Sequence, residues 1–305
     1  MARNTYEDWI PEEWTGPVIT RVNQVSAVEA LARRVPMGTD TKRIPRSAGI
    51  GVATIAKGSA YSEDESANDD VVLTARKFGK ALRIADEDLD DVNYVNIIAG
   101  KQAEWATSYA KFIDNATLAV TAAENGTTVP FTSVYKAVTT TNADTGYTAN
   151  ANLIQTAGAP AYDDFSNLLA LVEGGDYFDE SQMVMIAHPA WRAYLRGIKD
   201  TNGNPIFVQG LAGTPDTVFG MRVRWSMGAK THATATDNPS GNPLMIVANA
   251  DLLILGIRSG PESFTAPANS GAAFLTDEAL VKMRARRGWA VGHEKGIGVL
   301  EYTAS

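Results

Sequence analysis

Residues 86–124, DEDLDDVNYVNIIAGKQAEWATSYAKFIDNATLAVTAAE, carry a continuous helical pattern. One stripe recurs every three or four positions, the spacing of an amphipathic helix with one buried face. The stripe comprises Val92, Val95, Ile98, Gln102, Trp105, Tyr109, Phe112, Ala116 and Ala119. Acidic residues at Asp86–Asp91 suit the positive end of the helix dipole, and Asn125-Gly126 suits a C-terminal turn. At 1.5 Å per residue this predicts a spine of roughly 55 to 60 Å, along which Gly100 indicates a close neighbour.

Composition limits the class of protein. The 305 residues suggest about two domains, and the 45% hydrophobic and 20% charged contents are ordinary for a folded chain. No apolar run reaches the ~18 residues that cross a bilayer, and the first residues lack a signal-peptide core. Cysteine is absent, which excludes disulfides and thiolate chemistry. A net charge of -8 argues against a protein whose main task is to grip nucleic acid.

The segments before the spine look extended. Residues 1–38 hold Trp9 and Trp14 among several prolines, which predicts an arm lying either on its own domain or on a neighbour. Residues 39–85 predict two strand runs, Thr41–Pro45 and Val71–Ile84, joined by a long tip with an acidic patch. An isolated two-stranded ribbon is marginal in water, so the ribbon is expected to need a partner surface.

The segments after the spine alternate between helix and strand. Residues 126–160 predict loops and short strands, including Val129–Val138. A helix capped by Asp163 follows, then a buried strand at Met183–Ala187 and a helix opened by Pro189. Further strands are predicted at Phe219–Trp225, at Leu244–Ala248 with an extension at Leu252–Ile257, and along the tail Ala279–Tyr302.

No catalytic signature is visible in the sequence. The three histidines, His188, His232 and His293, are too far apart for a metal pair, and His188 before Pro189 suits a helix cap. Nucleophile-elbow, phosphate-loop and dinucleotide patterns are absent, and the acidic clusters lack EF-hand spacing. We therefore expect no catalytic, cofactor-binding or metal-binding residue and no enzyme activity. A two-domain α/β enzyme that binds a ligand between its domains is the alternative from another class.

The order of these elements resembles the major capsid proteins of tailed bacteriophages, which share the Hong Kong phage fold. Four segments carry the resemblance: Val72–Asp91 (VLTARKFGKALRIADEDLDD), Ser181–Gly197 (SQMVMIAHPAWRAYLRG), Val218–Met221 (VFGM) and Phe274–Val291 (FLTDEALVKMRARRGWAV). The resemblance implies an α+β fold with an N-terminal arm at 1–38, an extended β-ribbon loop at 39–85, a peripheral domain with the spine at 86–160, an α/β axial domain at 161–257, and C-terminal strands returning to the peripheral domain at 258–305.

The resemblance also implies a function. Copies would form hexamers and pentamers of an icosahedral shell around double-stranded phage DNA, without sequence-specific DNA binding and without a membrane. The chain would belong to the virion capsid and be assembled in the bacterial host cytoplasm. A shell protein of an encapsulin-like bacterial compartment is the alternative within the same fold.

Partners and contact residues follow from the same resemblance. The expected partners are further copies of the chain, a separate scaffolding protein because the ribbon begins by about residue 39, a portal and a candidate decoration protein. Independently of the resemblance, the basic group Arg284, Arg286 and Arg287 could touch DNA, but a basic strand end is weak evidence for that, and we expect these residues to pair with carboxylates across an interface. The full set of predicted inter-subunit contacts is Trp9, Trp14, Lys57, Glu63, Asp64, Glu65, Arg76, Lys80, Arg284, Arg286 and Arg287. A covalent cross-link through Lys57 is not expected, since no partner asparagine or assisting glutamate is evident.

Overall fold

The structure is a computed structural model that describes residues 23–47, 49, 52–61, 63, 68–87, 97–199, 202, 207, 216–267 and 277–303. The helices are α1 (Ala27–Leu31), α2 (Ile97–Leu118), α3 (Val134–Val138), α4 (Tyr162–Glu173) and α5 (Trp191–Gly197). The strands are β1 (Arg33–Pro36), β2 (Thr41–Ser47), β3 (Asn68–Thr74), β4 (Arg76–Ala85), β5 (Leu153–Thr156), β6 (Met183–Ala187), β7 (Thr217–Val218), β8 (Met221–Trp225), β9 (Leu244–Asn249), β10 (Leu253–Ala266), β11 (Glu278–Val291) and β12 (Ile297–Tyr302).

The spine is helix α2, whose 22 described residues span about 33 Å. The predicted start of the spine falls partly on residues 88–96, outside the described residues. Its predicted end at Glu124 is wrong. The helix stops at Leu118 because Val120 forms a parallel bridge with His232, which draws the backbone into an extended path. Asn125-Gly126 does form a turn, with Gly126 at a φ of 75°, but it closes the loop beyond the helix.

The last turns of the spine are buried on every side, not on one stripe. Tyr109 and Ala116 of the predicted stripe are buried, but Ile113, Asp114 and Asn115 beside them are fully or almost fully buried too. Gly100 does not mark the close neighbour, since a Cβ there would meet no described atom within 4 Å. The close approach comes instead from Gly228 in the loop after β8, which lies against the backbone of α2 near Asp114.

A four-stranded sheet in the order β1-β10-β11-β4 packs on the spine. Its centre is the antiparallel pair β10–β11, and β4 joins β11 in a register that runs from Glu278 opposite Ala85 to Arg287 opposite Arg76. The predicted extension of Leu244–Ala248 through Leu252–Ile257 is wrong. A short 3-10 turn at Ala250–Leu252 ends β9, and the chain then crosses from the six-stranded sheet to begin β10.

A six-stranded sheet in the order β5-β12-β9-β6-β8-β7 forms the second layer, with α4 packed against it. The predicted strand Met183–Ala187 is confirmed. The predicted buried face of α4 is also confirmed: it consists of Phe165, Leu168, Leu169 and Val172. The cap is not Asp163. Helix α4 begins after Ala161, whose backbone N–H donates to Asp164 Oδ2 at 2.8 Å, because the carboxylate three residues on reaches back to the open amide.

Two predicted strands are interrupted by local capping and turn chemistry. Part of Val129–Val138 is helix α3, since Ser133 Oγ accepts the N–H of Lys136 at 3.0 Å and caps a helical turn. The predicted strand Phe219–Trp225 begins only at Met221. Phe219 and Gly220 have φ values of 51° and 79°, so they form the two-residue turn that joins β7 to β8.

The strands of the ribbon begin and end elsewhere than predicted: the first runs on to Ser47, and the second begins at Asn68 and ends at Thr74. Strands β2 and β3 pair antiparallel from Thr41–Thr74 to Ser47–Asn68, which is about 23 Å of strand. The predicted run Val71–Ile84 is two strands, because the N–H of Ala75 donates to Asp40 O at 2.7 Å and ends the ribbon pairing there. Strand β4 then belongs to the four-stranded sheet. Within β3, Leu73 is buried and its neighbour Val72 is exposed.

His188 lies between β6 and α5 and is buried. Its Nδ1 accepts the backbone N–H of Ala190 at 3.2 Å and so holds the turn that precedes α5. The predictions that His188 caps this helix and that Pro189 opens it are wrong, because the helix begins only at Trp191 and its N-cap, Ala190, has no side-chain capping bond. Burial is the main cause that lowers the pKa of His188 to about 4, and the charge of Lys230 adds to it. The folded protein therefore favours the neutral imidazole.

We expect the thermal unfolding midpoint of the unassembled chain to fall as the pH is lowered from 6.5 towards about 4. Between these pH values the imidazole of His188 binds a proton in the unfolded chain but stays neutral in the folded chain, so the proton favours unfolding. His188→Asn keeps an acceptor for Ala190 and should flatten the fall, though His293, whose pKa burial also lowers, retains part of it. The matched control is His232→Asn, at a partly exposed ring whose Nδ1 accepts the N–H of Thr234 at 3.2 Å. An equal flattening in both variants, measured by scanning calorimetry, would contradict this assignment.

Candidate inter-subunit contact site

The predicted contact residues lie in three places. Trp9, Trp14, Asp64 and Glu65 fall outside the described residues. Lys57 and Glu63 are exposed in the segment between the two ribbon strands. The remaining five lie on the adjacent strands β4 and β11: Arg76, Lys80, Arg284, Arg286 and Arg287. The described contact residues therefore lie in two regions. One is the surface of strands β4 and β11, and the other is the segment that joins the two ribbon strands.

The three arginines of β11 have carboxylate partners within the same chain. Arg284 Nε lies 3.0 Å from Glu262 Oε2 on β10. Arg286 Nη2 lies 2.7 Å from Asp40 Oδ1, and Arg287 Nε lies 2.8 Å from Glu29 Oε1. The carboxylates that the sequence analysis placed across an interface are thus contributed by this chain, because β10, α1 and the ribbon root converge on β11. Whether these arginines also contact a neighbour stays a prediction.

Arg287 has a structural role that its position in the sequence did not reveal. Its side chain is only 6% exposed, and Glu29 Oε1 accepts hydrogen bonds from both Arg287 Nε and the Tyr109 hydroxyl, the latter at 3.0 Å. Burial and the nearby Glu29 raise the pKa of Tyr109, which keeps it a hydrogen-bond donor. This network joins α1, the spine and β11, so Arg287 stabilises the subunit internally.

Arg46 binds the ribbon to the body near the outer end of the paired strands, one pair before Ser47–Asn68. Its guanidinium binds Asp69 on the opposite strand, with Nε 2.7 Å from Asp69 Oδ1, and its Nη1 donates to Gly292 O at 2.8 Å. The hydrogen bond lowers the pKa of Asp69 and raises that of Arg46. Arg43 and Asp70 add a second cross-strand pair at 2.8 Å. The paired part of the ribbon is therefore held against the body at both ends, by the ion pair of Asp40 with Arg286 at its root and by Arg46 at its outer end.

The segment 52–61, here called the ribbon tip, presents apolar side chains to solvent. Val52 is fully exposed, Tyr61 is 85% exposed and Ile55 is 39% exposed. Exposed apolar residues are ordinary when they are isolated, but three within ten residues at the end of a ribbon form a contact candidate. Only charged residues of this region, such as Lys57 and Glu63, were predicted as contacts from the sequence; its apolar residues were not.

A cavity of about 440 Å³ opens between β4 and the spine, and it is here called the spine groove. Its floor is aromatic: Phe78 and Phe112 have ring centroids 5.7 Å apart, and Trp105 stacks on Tyr109 at 5.2 Å. Its rim carries Lys77 and Lys80 from β4 and Asp237 from the loop after β8. Trp105 and Phe112 were predicted as buried core residues, and the structure leaves both only partly buried beside this groove.

Buried polar side chains hold the spine in place. Asp114 Oδ2 accepts hydrogen bonds from Ala27 N at 2.9 Å and Ser226 Oγ at 2.5 Å, and Oδ1 accepts from Val28 N at 3.2 Å and from Ser26 Oγ. Burial raises the pKa of Asp114, and these four donors oppose the rise. Asn115 Nδ2 donates to Gly228 O and Lys230 O at 3.0 and 2.8 Å. No sequence pattern distinguished these residues from solvent-facing positions of the helix.

Within the described ranges, no group of three His, Asp or Glu side chains is placed to hold a metal ion. The same part of the chain contains no helix that is long and apolar enough to span a bilayer.

Comparison with protein families and curated proteins finds sequence relatives. Residues 7–302 match the model of a family described as "Phage capsid family". "Probable major capsid protein gp17" of Mycobacterium phage L5 is 23% identical over 210 residues, which cover 67% of this chain and 59% of that protein. The protein of the same name from Mycobacterium phage D29 is 23% identical over 219 residues, 70% of this chain and 62% of that protein. The aligned region thus spans about three fifths of these curated relatives.

Solved structures resemble the whole chain. A chain from Mycobacterium phage Bobi has a TM-score of 0.72 at 17% identity, and the match covers 98% of this chain and 97% of that one. A chain from Mycobacterium phage Ogopogo has a TM-score of 0.75 at 12% identity, covering 99% and 100%. The "capsid of native GTA particle" has a TM-score of 0.72 at 16% identity, covering 98% and 97%. At these identities the likeness shows the fold, and the predicted α+β fold with a spine and ribbon is confirmed.

Proposed function

This chain belongs to the phage capsid family, and we propose that it is a major capsid protein whose copies assemble into hexamers and pentamers of an icosahedral shell around double-stranded phage DNA. The observation that carries the proposal is the family match over residues 7–302, which spans the ribbon, the spine and both larger sheets as well as most of the segment predicted as an arm. The role is structural, with no chemical step. In this proposal the chain is part of the virion capsid and is assembled in the bacterial host cytoplasm.

The geometry of the ribbon supports self-assembly. Its seven residue pairs cannot form a core of their own, and its tip carries exposed apolar side chains. A contact between the ribbon of one copy and a different surface of the next is heterologous, and such head-to-tail contacts close into rings when the rotation permits. The bond from Arg46 to Gly292 O holds the outer end of the paired strands against the body and so fixes the direction of the ribbon, which a repeated ring contact requires.

The negative net charge of the chain is consistent with a shell that interacts only weakly with the packaged DNA. A net charge of -8 gives no general attraction to phosphate, so a shell of this protein would enclose DNA without adhering to it. The scaffolding, portal and decoration partners stay predictions. So does the division into arm (1–38), extended loop (39–85), peripheral domain (86–160), axial domain (161–257) and C-terminal strands (258–305).

Expression of the chain alone tests the proposal. We expect rings, tubes or closed shells in negative-stain images, with light scattering that rises steeply with protein concentration because many weak contacts act together. Small-angle scattering of any residual monomer should give a radius of gyration above the ~19 Å of a compact chain of this length. A compact monomer near ~19 Å that stays monomeric at high concentration and with phage scaffolding protein added would refute the capsid function.

A further inference from the structure

His293 is a buried histidine in the turn that joins β11 to β12, and only 5% of it is exposed. Its Nδ1 accepts the backbone N–H of Lys295 at 3.2 Å and so caps the short 3-10 turn Glu294–Gly296. Its ring stacks on Tyr177, with the ring centroids 4.0 Å apart. Because Nδ1 can accept this hydrogen bond only while the imidazole is neutral, the turn depends on the protonation state of His293.

The ribbon binds the body at the residue before this histidine. Gly292 O accepts a hydrogen bond from Arg46 Nη1 at 2.8 Å, and the N–H of Gly292 donates to Leu252 O at 2.7 Å. Arg46 in turn binds Asp69 on the opposite ribbon strand, with Nε 2.7 Å from Oδ1. The outer end of the paired strands is therefore attached to the body one residue away from a titratable side chain.

Charged and titratable groups from four segments face the imidazole. They are Arg46 of β2, Asp69 of β3, Tyr177 of the loop after α4, and Glu294 and Lys295 of the turn itself. Burial is the main cause that lowers the pKa of His293 below 6.5; the two cations add to this, and the two carboxylates oppose it. The closed arrangement therefore has its full stability above the pKa of a freed imidazole, about 6.5, and loses it as the pH falls below that value.

We propose that His293 is a pH-sensitive latch for the ribbon: the neutral imidazole holds the turn whose Gly292 O binds Arg46, and the protonated imidazole releases the outer end of the paired strands. Protonation places an N–H on Nδ1 against the N–H of Lys295, so the cap is lost. It also adds a cation beside Arg46, which then competes with the imidazolium for the carboxylate of Asp69. Both changes weaken the bond from Arg46 to Gly292 O.

The root of the ribbon lacks this dependence on His293. Asp40 at the root binds Arg286 at 2.7 Å, and Leu73 of β3 is buried in an apolar cluster with Val35, Met37 and Ile254. Acid should therefore free the outer end while the root stays attached. The inference goes beyond the proposed shell function, because it concerns the position of the ribbon within a single chain.

The absence of cysteine makes a direct test available. Nitroxide labels are attached to Ser47→Cys, at the outer end of β2, and to Asp251→Cys, an exposed position next to Leu252. The distance between them is measured by double electron–electron resonance in the unassembled full chain at about pH 8 and about pH 5. We expect one short distance at the higher pH and an added longer population at the lower pH. The ratio of closed to open chains should fall by up to about tenfold per pH unit below 6.5.

Variants separate the latch from a general effect of acid. His293→Asn keeps a capping acceptor and cannot take up a proton in this range, so it should keep the short distance at both pH values. His293→Ser, which also caps, serves if the first variant does not fold. Arg46→Gln should show the longer population at both pH values. The matched control is His188→Asn, which replaces the other buried histidine and should still open in acid.

A second labelled pair, Asp163→Cys with Asp251→Cys, reports on the body alone and should not change with pH. An unmodified chain that keeps one distance at both pH values would overturn the inference. So would opening that persists in His293→Asn or His293→Ser, opening that is lost in His188→Asn, or an equal change in the body pair. Each of these results leaves the shell function standing, since none of them depends on assembly.

Discussion

Replacing Asp114 with Asn is expected to lower the free energy of unfolding by about 2–4 kcal/mol, because a buried group would lose its hydrogen-bond partner. The carboxylate accepts four hydrogen bonds, two at each oxygen, from two serine hydroxyls and two backbone N–H groups of α1. An Asn side chain has one acceptor oxygen and one NH₂ group. In either orientation the NH₂ group faces a backbone N–H, of Ala27 or of Val28, and leaves that donor unsatisfied in the core.

The measurement is urea unfolding of the unassembled chain at pH 8, followed by tryptophan fluorescence. The matched control is Asp144→Asn, an exposed carboxylate whose replacement should change stability by less than about 0.5 kcal/mol. If the urea midpoints of the two variants shifted equally, the hydrogen bonds of Asp114 to α1 and to the loop after β8 would not contribute to stability as proposed here. A shift in the slope of the transition would indicate a change in the unfolded or native ensemble and not the lost hydrogen bonds.

Replacing Gly228 with Ala is expected to destabilise the chain by about 1–3 kcal/mol, the usual cost of forcing an extra carbon into a packed site. The added Cβ would lie 2.6 Å from both Asn115 N and Lys111 O and 2.8 Å from Asp114 Cβ. Two of these contacts are with the helix backbone, which cannot move without disturbing the spine. The substitution would also displace Gly228 O from Asn115 Nδ2, its donor at 3.0 Å.

Gly100→Ala on the same helix is the matched control and should act in the opposite direction. A Cβ at Gly100 meets no described atom within 4 Å, and alanine in a helix interior is favoured over glycine by about 0.5–1 kcal/mol. We therefore expect a higher unfolding midpoint for Gly100→Ala and a lower one for Gly228→Ala. A neutral Gly228→Ala would show that the loop after β8 can shift away from the spine at little cost.

Periodic burial explains which elements could be predicted. The face of α4, the buried strand β6 and the helical character of the spine each depend on side chains that repeat along one element, and all three are confirmed. Breaks caused by single contacts were missed, as at Ala75, at Phe219-Gly220 and after Leu118, because each depends on a partner far away in the sequence or on a turn conformation. A periodic pattern carries no information about such partners.

The class of fold, the order of its elements and the resemblance to a capsid chain could be predicted from the sequence, because they follow from local periodicity and from the succession of segments. Which residues contact each other across distant segments became visible only in the folded chain. The fold placed the carboxylate partners of Arg284, Arg286 and Arg287 within the same chain. In the folded chain Asp114 is buried next to Gly228, and an aromatic groove lies beside β4. The physical reason is that these features arise where segments distant in sequence converge, and convergence is a property of packing.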